Sequence, residues 1–308
     1  MRMTLLTMLI LSTLFTFAQN DSSGFRVTLL GTGDPQPLIT RFGPSILVQA
    51  GNENLLFDAG RGCMQRLNQL KIAYKDIDAL FLTHLHSDHT VGLPDLWLTG
   101  WLLSRRSNPL EVFGPIGTQD MIRYLENAYA FDIDIRIKDD KSPPEECKFS
   151  VIEIKEGVVY EKNGVKVTAF LVDHFPVVPA FGFRIDYRGH SVVLSGDTRY
   201  SENLVNFAKG ADLLVHEVVI APDTIKRDDP KYNVFAHHTP PELAAKVFNQ
   251  VQPKLAVYSH ITKLYGRNEE ELLKRTKAFY AAPFIIGEDL MSFTVGDSVI
   301  VNYWQKNP

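Results

Sequence analysis

The stretch from Phe81 to Gly92 reads FLTHLHSDHTVG and holds three of the nine histidines of this 308-residue chain. His84 and His86 stand two positions apart at the end of an apolar run, so on a strand their side chains point the same way. The chain is then expected to turn and bring Asp88 and His89 towards them. Imidazole and carboxylate groups together suit zinc and similar divalent ions. The stretch therefore predicts a metal site at the end of a buried strand.

Three further ligand-type side chains follow apolar runs later in the chain. They are His174 in VDHF, Asp197 in LSGDT and His260 in VYSH. Polar side chains at the carboxyl ends of buried strands are typical of active sites in α/β architectures. Any one of the three has an ordinary structural explanation. As an ordered set, they indicate that the histidine-rich stretch belongs to a site for two metal ions.

Apolar periodicity and turn residues predict alternating groups of strands and helices. The predicted strands are Phe25–Leu30, Ser45–Ala50, Asn54–Asp58, Ala79–Thr83, Leu110–Phe113, Phe149–Ile154, Val165–Val172, Gly182–Tyr187, Ser191–Leu194, Asp212–His216, Leu255–Tyr258 and Asp289–Val295. The predicted helices are Gly60–Leu70, Thr90–Leu103, Gln119–Tyr129, Pro240–Gln250 and Glu269–Tyr280. Strand groups precede helices in each half, which favours two sheets packed face to face with helices outside.

Residues 1–18 differ in composition from the rest of the chain. Arg2 is followed by an apolar run without charge, which ends in TFA at residues 16–18, with small residues where a signal peptidase cleaves. The pattern predicts a secretory signal over residues 1–18, a mature domain over residues 19–308, and a periplasmic or secreted protein. An uncleaved membrane anchor stays open as the alternative, although the run is short for a span.

The charge balance bears on the partners of the protein. The formal net charge is −4, and no run of Lys or Arg is longer than a pair. Phosphate contacts supply most of the affinity of proteins for nucleic acid, and they demand a broad basic surface. The composition therefore argues against nucleic acid as a partner.

These motifs resemble those of the metallo-β-lactamase superfamily, in the branch of the tRNA 3′-processing endonucleases (tRNase Z) and the arylsulfatases similar to them. The similarity runs over the whole mature chain, through LLGTGDPQP, RFGPSILV, LLFDAGRG, THLHSDHTVGLPDL, FGPIG, SGDTR, LVHE, HHTPPELAA, YSH and IGEDL. It implies an α/β fold, the four-layer αββα metallo-β-lactamase sandwich. The blocks are specific for fold and metals and weak for substrate, because one fold serves many functions.

The resemblance also implies two zinc ions per chain. The first would be held by His84, His86 and His174, the second by Asp88, His89 and His260, and Asp197 would bridge them. Mn²⁺ and Fe²⁺ suit the same ligands. Paired metals lower the pKa of a shared water and clamp the attacking and leaving oxygens, and Asp88 would orient the attacking hydroxide.

A leaving group also needs a proton, and the HHTPPELAA block offers two histidines. His238 fits the spacing of the general acid in the related endonucleases better than His237, which stays open as the alternative. Glu217 in LVHE resembles the carboxylate that steadies that histidine. General acids are worth ~10²–10⁴-fold in rate. We expect His216 to be buried, and Asp58 to be a buttress beneath the metals.

Two features set this chain apart from the endonuclease branch. That branch carries a glycine- and lysine-rich arm that grips tRNA, whereas the corresponding stretch, roughly Lys138–Lys162, is acidic here. The start of this stretch is expected to form a loop, a lid or an arm. The predicted signal would also take the enzyme away from tRNA. We therefore expect an exported binuclear zinc hydrolase, of arylsulfatase or phosphodiesterase type, that cleaves a small anionic sulfate or phosphate (di)ester by attack of a metal-held hydroxide.

Other interpretations remain open or disfavoured. A tRNA 3′-processing endoribonuclease is the alternative if the leader is misread. A metal-binding protein without catalysis is disfavoured by the complete ligand set and His238. A β-lactam hydrolase is disfavoured because Asp197 stands where those enzymes usually place a cysteine. A homodimer stays open, since dimers are common among the relatives, and no stable membrane span is expected after signal cleavage.

Overall fold

The computed structural model describes residues 24–104, 106 and 108–304. The predicted leader, residues 1–18, lies outside this described part. Among the described residues, no helix combines the length and the apolar character needed to cross a membrane.

Strands and helices alternate along the described chain. The strands are β1 (Phe25–Gly31), β2 (Ser45–Ala50), β3 (Glu53–Phe57), β4 (Ala79–Phe81), β5 (Leu110–Gly114), β6 (Phe149–Glu153), β7 (Gly157–Lys162), β8 (Val165–Leu171), β9 (Phe181–Tyr187), β10 (His190–Leu194), β11 (Leu213–Ile220), β12 (Leu255–Lys263), β13 (Phe284–Ile286), β14 (Ser292–Val295) and β15 (Val299–Asn302). The helices are α1 (Cys63–Gln69), α2 (Ser87–Thr90), α3 (Leu93–Ser104), α4 (Thr118–Ala128), α5 (Ala130–Lys138), α6 (Glu202–Ala208), α7 (Tyr232–Ala236), α8 (Pro241–Val251) and α9 (Glu269–Lys277). The sequence did not predict β7, β13, β15 or the helices α2, α5, α6 and α7.

Two sheets form the centre of the molecule. The first has the strand order β15-β14-β1-β2-β3-β4-β5-β6, and the second has the order β13-β12-β11-β10-β9-β8-β7. The neighbours β3-β4-β5-β6 and β10-β11-β12-β13 run parallel. Parallel strands end at the same edge of a sheet, so the loops after them meet there. This arrangement brings together the loops that carry the candidate ligands.

The core between the sheets is rich in aromatic rings. The rings of Phe57 and Phe81 stack at 4.9 Å, and so do those of Phe81 and Phe113. Phe183 on β9 reaches across from the second sheet and meets Phe57 at 5.2 Å. Strands that are buried on both faces read as near-continuous apolar runs, which is why these strands were predictable from the sequence.

Helices cover the outer face of each sheet. On the second sheet, α8 places Phe248 against Tyr258 of β12, at 5.3 Å between ring centroids. On the first sheet, α1 and α3 bury Leu67 and Leu96 against the strands. The molecule therefore has four layers in the order αββα, and the fold class predicted from the sequence is confirmed.

Trp97 on α3 is part of this outer packing. It is buried, its ring packs on that of Phe149 at 4.7 Å, and its Nε1 donates to the carbonyl of Cys147 at 2.8 Å. The two cysteines, Cys63 and Cys147, are both free and buried. Burial and the charge of Asp95 raise the pKa of the Cys63 thiol to about 12, so this side chain behaves as a small apolar group.

The acidic stretch Lys138–Lys162 is not an arm. After α5 it makes a single 3₁₀ turn at Pro144–Cys147, then supplies β6 at the edge of the first sheet and β7 at the edge of the second. Tyr160 and Ile154 anchor it in the core between the sheets. Charged side chains on edge strands prevent pairing with other chains. The two prolines lie at the 3₁₀ turn, in the loop that was predicted at the start of the stretch, and the charges that follow belong to protected edge strands.

Candidate metal centre

The candidate ligands lie at one edge of the sandwich, after strands of both sheets and at a bulge within β12. His84 and His86 follow β4, and Asp88 and His89 lie on the short helix α2. His174 follows β8 and Asp197 follows β10, while His260 lies within β12. The backbone of β12 makes a bulge at His260, because Glu217 pairs with Ser259 and Val218 with Ile261. A bulge redirects a side chain, and the φ of His260 is 43°.

One cluster consists of His84, His86, His174 and Asp197. One ligand atom from each lies within 4.8 Å of the others. His84 Nε2 lies 2.9 Å from His86 Nδ1, which in turn lies 3.3 Å from His174 Nε2. Three imidazole nitrogens thus point at one small volume. His86 is the exposed member, so this side of the cluster opens to solvent.

A second cluster consists of Asp88, His89 and His260, again with ligand atoms within 4.8 Å of one another. Asp197 Oδ2 lies 3.3 Å from the Nε2 atoms of both His89 and His260. The same oxygen lies 3.8 Å from His84 Nε2 and 3.9 Å from His174 Nε2. Asp197 therefore stands between the two clusters, at the position expected of a bridging ligand.

The donor atoms are arranged to suit cations. Asp197 Oδ1 is buried and has no hydrogen-bond partner among the described residues. His89 Nε2 is also buried, and it lies 3.3 Å from Asp197 Oδ2 without the geometry of a hydrogen bond. Buried polar atoms of this kind need a partner. Seven imidazole and carboxylate groups around two overlapping centres fit a binuclear zinc site, so the expected metal chemistry is supported and the identity of the ion is left to experiment.

The electrostatics divide the candidate histidine ligands. Burial lowers the pKa of His84 well below its usual value, with the charge of His89 adding to the effect. Burial also lowers the pKa of His174 to about 4. Burial alone would raise the pKa of Asp197, but the charges of His260 and His89 outweigh it and hold that pKa well below its usual range. Burial alone would lower the pKa of His89 and of His260, but the charge of Asp197 outweighs it and raises the first well above its usual value and the second to about 9. Neutral imidazole and anionic carboxylate are the forms that bind metal, so these two side chains would release a proton when a metal ion binds.

Asp58 supports the site from beneath, as predicted. Its Oδ2 lies 2.8 Å from His89 Nδ1, and its Oδ1 accepts from the Thr83 amide at 2.9 Å. The hydroxyl of Thr83 lies 3.0 Å from His84 Nδ1. Carboxylates in this position fix the tautomer and the orientation of metal-binding histidines. Thr83 was not predicted from the sequence, although its place directly before the HLH motif is a usable signal.

The adjacent histidines His237 and His238 have different surroundings in the structure. His238 Nδ1 lies 3.2 Å from Glu217 Oε2, and the other oxygen of Glu217 accepts from the Thr239 amide at 2.7 Å. The ring of His238 stacks on that of His260 at 5.4 Å. Burial alone would lower the pKa of His238, but the charge of Glu217 outweighs it and raises that pKa.

His237 lies further out, with its ring 6.1 Å from that of His174. Burial lowers its pKa, and the charges of His238 and Arg199 add to the effect. His216 is fully buried on the helix side of β11, 5.8 Å from the ring of Phe248, as expected. Of the histidines near the clusters, His238 is thus the one with both a carboxylate partner and contact with a candidate ligand.

Known proteins resemble this chain in sequence and in fold. Residues 53–261 match the family described as the Beta-lactamase superfamily domain. The chain is 36% identical over 271 residues to ribonuclease Z of Mycolicibacterium gilvum. The aligned residues cover 86% of this chain and 94% of that protein. The fold is similar to that of YhfI from Bacillus subtilis, a metallo-beta-lactamase fold protein, with a TM-score of 0.71 and 18% identity over 88% of this chain and all of that one. It is also similar to the short form of human tRNase Z, with a TM-score of 0.65 and 24% identity over 87% of this chain and 98% of that one.

These relatives overturn three expectations from the sequence. The main expected activity, cleavage of a small sulfate or phosphate ester by an exported enzyme, is wrong, because proteins named ribonuclease Z match 86% of the chain. The exclusion of nucleic acid is wrong for the same reason, since net charge omits the charge that metal ions bring to a site. The periplasmic or secreted location is also contradicted, because it rested on the apolar run at residues 1–18 alone, whereas the match to proteins named ribonuclease Z covers 86% of the chain.

The more general expectations about fold and reaction type are confirmed. The protein is a metal-dependent hydrolase with the metallo-β-lactamase fold, whereas nothing supports the arylsulfatase type. The family match covers most of the described chain and includes the histidine-rich stretch, Asp197 and His260. The chain therefore belongs to the metallo-β-lactamase superfamily, in the branch that contains the ribonuclease Z proteins.

Proposed function

We propose that the protein is a metal-dependent endoribonuclease of the ribonuclease Z type, which cleaves a phosphodiester bond at the 3′ side of a tRNA precursor. The observation that carries the proposal is the His238–Glu217 pair beside the two ligand clusters, in a chain 36% identical to a ribonuclease Z over 271 residues. A metal pair with an adjacent proton donor suits the cleavage of a phosphodiester, in which one oxygen attacks and another leaves.

The ligand assignments are part of this proposal. His84, His86 and His174 would hold one ion, Asp88, His89 and His260 would hold the other, and Asp197 would contact both. When bound, two zinc ions would activate a water molecule and neutralise charge on the phosphate. Mn²⁺ and Fe²⁺ accept the same ligands. Metal analysis of the protein purified without added metal identifies the ion that it carries.

The side chains around the clusters have separate tasks. Asp88 Oδ2 lies 3.3 Å from His260 Nε2 and 3.5 Å from His89 Nε2, at the border between its own cluster and Asp197. We assign it to orient the attacking water by accepting a hydrogen bond. His238 donates a proton to the leaving oxygen, and Glu217 stabilises its protonated ring from Nδ1. Glu217 is itself held by the Thr239 amide, so the pair is rigid.

The test uses the purified, zinc-loaded protein and a tRNA precursor with a 3′ trailer. We expect one endonucleolytic cut near the end of the tRNA body, and loss of cutting in His86→Ala. His190→Ala is the matched control, because His190 lies at the start of β10 and pairs with Asp212 outside the metal centre. An intact precursor after incubation with protein that carries two metal ions per chain would overturn the proposal.

A further inference from the structure

The loop after β8 displays an aromatic ring beside the metal centre. Phe175 directly follows His174, a member of the first cluster, and its side chain is 61% exposed. A large apolar side chain in this position gains little from packing within the molecule. Its place one residue from a candidate ligand ties the backbone that carries the ring to the metal centre.

The backbone around Phe175 is fixed by hydrogen bonds. The amide of Val177 donates to the carbonyl of His174 at 3.0 Å, and the amide of Phe175 donates to Asp173 Oδ1 at 3.2 Å. The base of the loop is closed by the amide of Val172, which donates to the carbonyl of Ala180 at 2.9 Å. The ring is therefore presented by an ordered turn, and little conformational entropy is lost when a ligand contacts it.

Arg199 supports the ring from one side. Its Nη2 donates to the carbonyl of Phe175 at 2.9 Å, and its Cζ lies 6.0 Å from the ring centroid, within the range of a cation–π contact. Its amide donates to the carbonyl of Asp173 at 2.8 Å. Arg199 comes two residues after Asp197, so both halves of this aromatic–guanidinium pair are tied to residues of the metal centre. Beside this guanidinium contact, the Phe175 side chain stays 61% exposed.

We propose that Phe175 is a stacking platform for one unpaired nucleobase that flanks the cleaved phosphodiester, and that Arg199 is the positioning residue that holds the ring. The inference rests on the proposed function, because a base is present beside the phosphate only if the substrate is a nucleic acid. Unpaired RNA bases stack on aromatic rings and guanidinium planes, and stacking tolerates any base. The platform would therefore secure the strand at the metal centre without reading its sequence.

The experiment combines a protein series with an RNA series. The proteins are the wild type, Phe175→Ala, Phe175→Tyr and Phe279→Ala, the last being a control in which another exposed phenylalanine, 58% accessible, is removed away from the metal centre. The RNAs are a tRNA precursor and versions of it with a single abasic nucleotide at successive positions on either side of the cut. Steady-state KM and kcat are measured for each pair, together with the zinc content of each protein.

With the intact precursor, Phe175→Ala should raise KM by roughly 5- to 150-fold, the range expected for the loss of one stacked base. Its kcat and zinc content should change by less than about twofold, because uniform binding is lost and the chemistry is retained. Phe175→Tyr and Phe279→Ala should behave as the wild type. At one abasic position the KM of the wild type should rise to that of Phe175→Ala, and the KM of the variant should rise no further there.

The contrary outcomes are separable. If the wild type cuts the precursor and Phe175→Ala has an unchanged KM, the platform is refuted while the proposed function stands. If Phe175→Ala loses zinc, the side chain has a structural role and the platform is likewise refuted. The same conclusion follows if the KM of Phe175→Ala exceeds that of the wild type by the same factor with every abasic RNA. If zinc-loaded wild type leaves the precursor uncut, the proposed function itself fails and the platform fails with it.

Discussion

The floor and the rim of the metal centre are built in opposite ways. On the floor, His84, His89 and Asp197 are nearly inaccessible to solvent, and Asp58 sets the orientation of His89. On the rim, Phe175 is 61% exposed, and its ring is supported by the guanidinium of Arg199. Groups that must hold metals need rigid surroundings, whereas a surface that meets substrate must stay open. The difference indicates that changes on the floor affect the chemistry, and changes on the rim affect the choice and binding of substrate.

The largest effect is expected from the carboxylate shared by the two clusters. Asp197→Ala should lower kcat/KM for the tRNA precursor by at least about 10³-fold, since a metal centre supplies several kcal/mol of transition-state stabilisation. Cleavage assays and metal analysis of the same preparation check this. Asp297→Ala, which removes an exposed carboxylate, is the control. Full activity in Asp197→Ala would place the chemistry outside these clusters.

The next effect distinguishes two adjacent imidazoles. His238→Ala should lower kcat by ~10²–10⁴-fold at unchanged metal content, because a general acid is lost. His237→Ala should leave kcat within about threefold, since the His237 side chain is placed in neither the ligand set nor the proton transfer. Single-turnover rates on the precursor compare the two variants directly. Equal rates for both would contradict the assignment of His238 as the proton donor.

A third comparison concerns stability and sets a buried phenylalanine against the exposed one. Phe183 is fully buried between the sheets and packs on Phe57 and Phe81. Phe183→Ala should lower the free energy of unfolding by about 3–5 kcal/mol through the cavity it leaves. Phe175→Ala should change it by less than about 0.5 kcal/mol, as exposed positions do. Urea unfolding of both variants measures the contrast, and a large loss in Phe175→Ala would show that the rim is also structural.

The smallest expected effect comes from the support beneath the floor. Asp58→Asn keeps the shape of the side chain but weakens the bond to His89 Nδ1. Removal of such a supporting carboxylate costs about 10- to 100-fold in metal affinity. Competition with a chelator measures the affinity, and activity should return when the metal concentration is raised. Unchanged affinity would show that Thr83 and the backbone orient the histidines without help from Asp58.

The histidine-rich stretch and the acidic stretch differ in how well the sequence predicted their structure. In THLHSDH the ligands lie within six positions, so strand geometry alone brings His84 and His86 to one side. In Lys138–Lys162 the strand predicted over Phe149–Ile154 is present as β6, whereas β7 at the edge of the second sheet was missed. An edge strand needs only a few anchoring side chains, such as Tyr160 in β7. The apolar signal of β7 was therefore too sparse to outweigh its charges.

The errors about substrate and location have a similar origin. Net charge is a sum over the whole chain, while a phosphodiester responds to the charge at one site, where metal ions contribute most. The predicted leader used residues 1–18 alone, and the similarity to proteins named ribonuclease Z over 86% of the chain weighs against the export it implied. Whole-chain composition and a terminal segment both carry less information about the reaction than the residues at the site.

Local patterns of apolar and metal-binding residues were sufficient to predict the superfamily, the sandwich of two sheets and the set of candidate ligands. The folded molecule was needed to show which of His237 and His238 meets Glu217, how the bulge in β12 turns His260 inward, and how exposed Phe175 is. Each of these depends on contacts between segments far apart in the chain. Such contacts are set by the packing of the sheets, which no local pattern records.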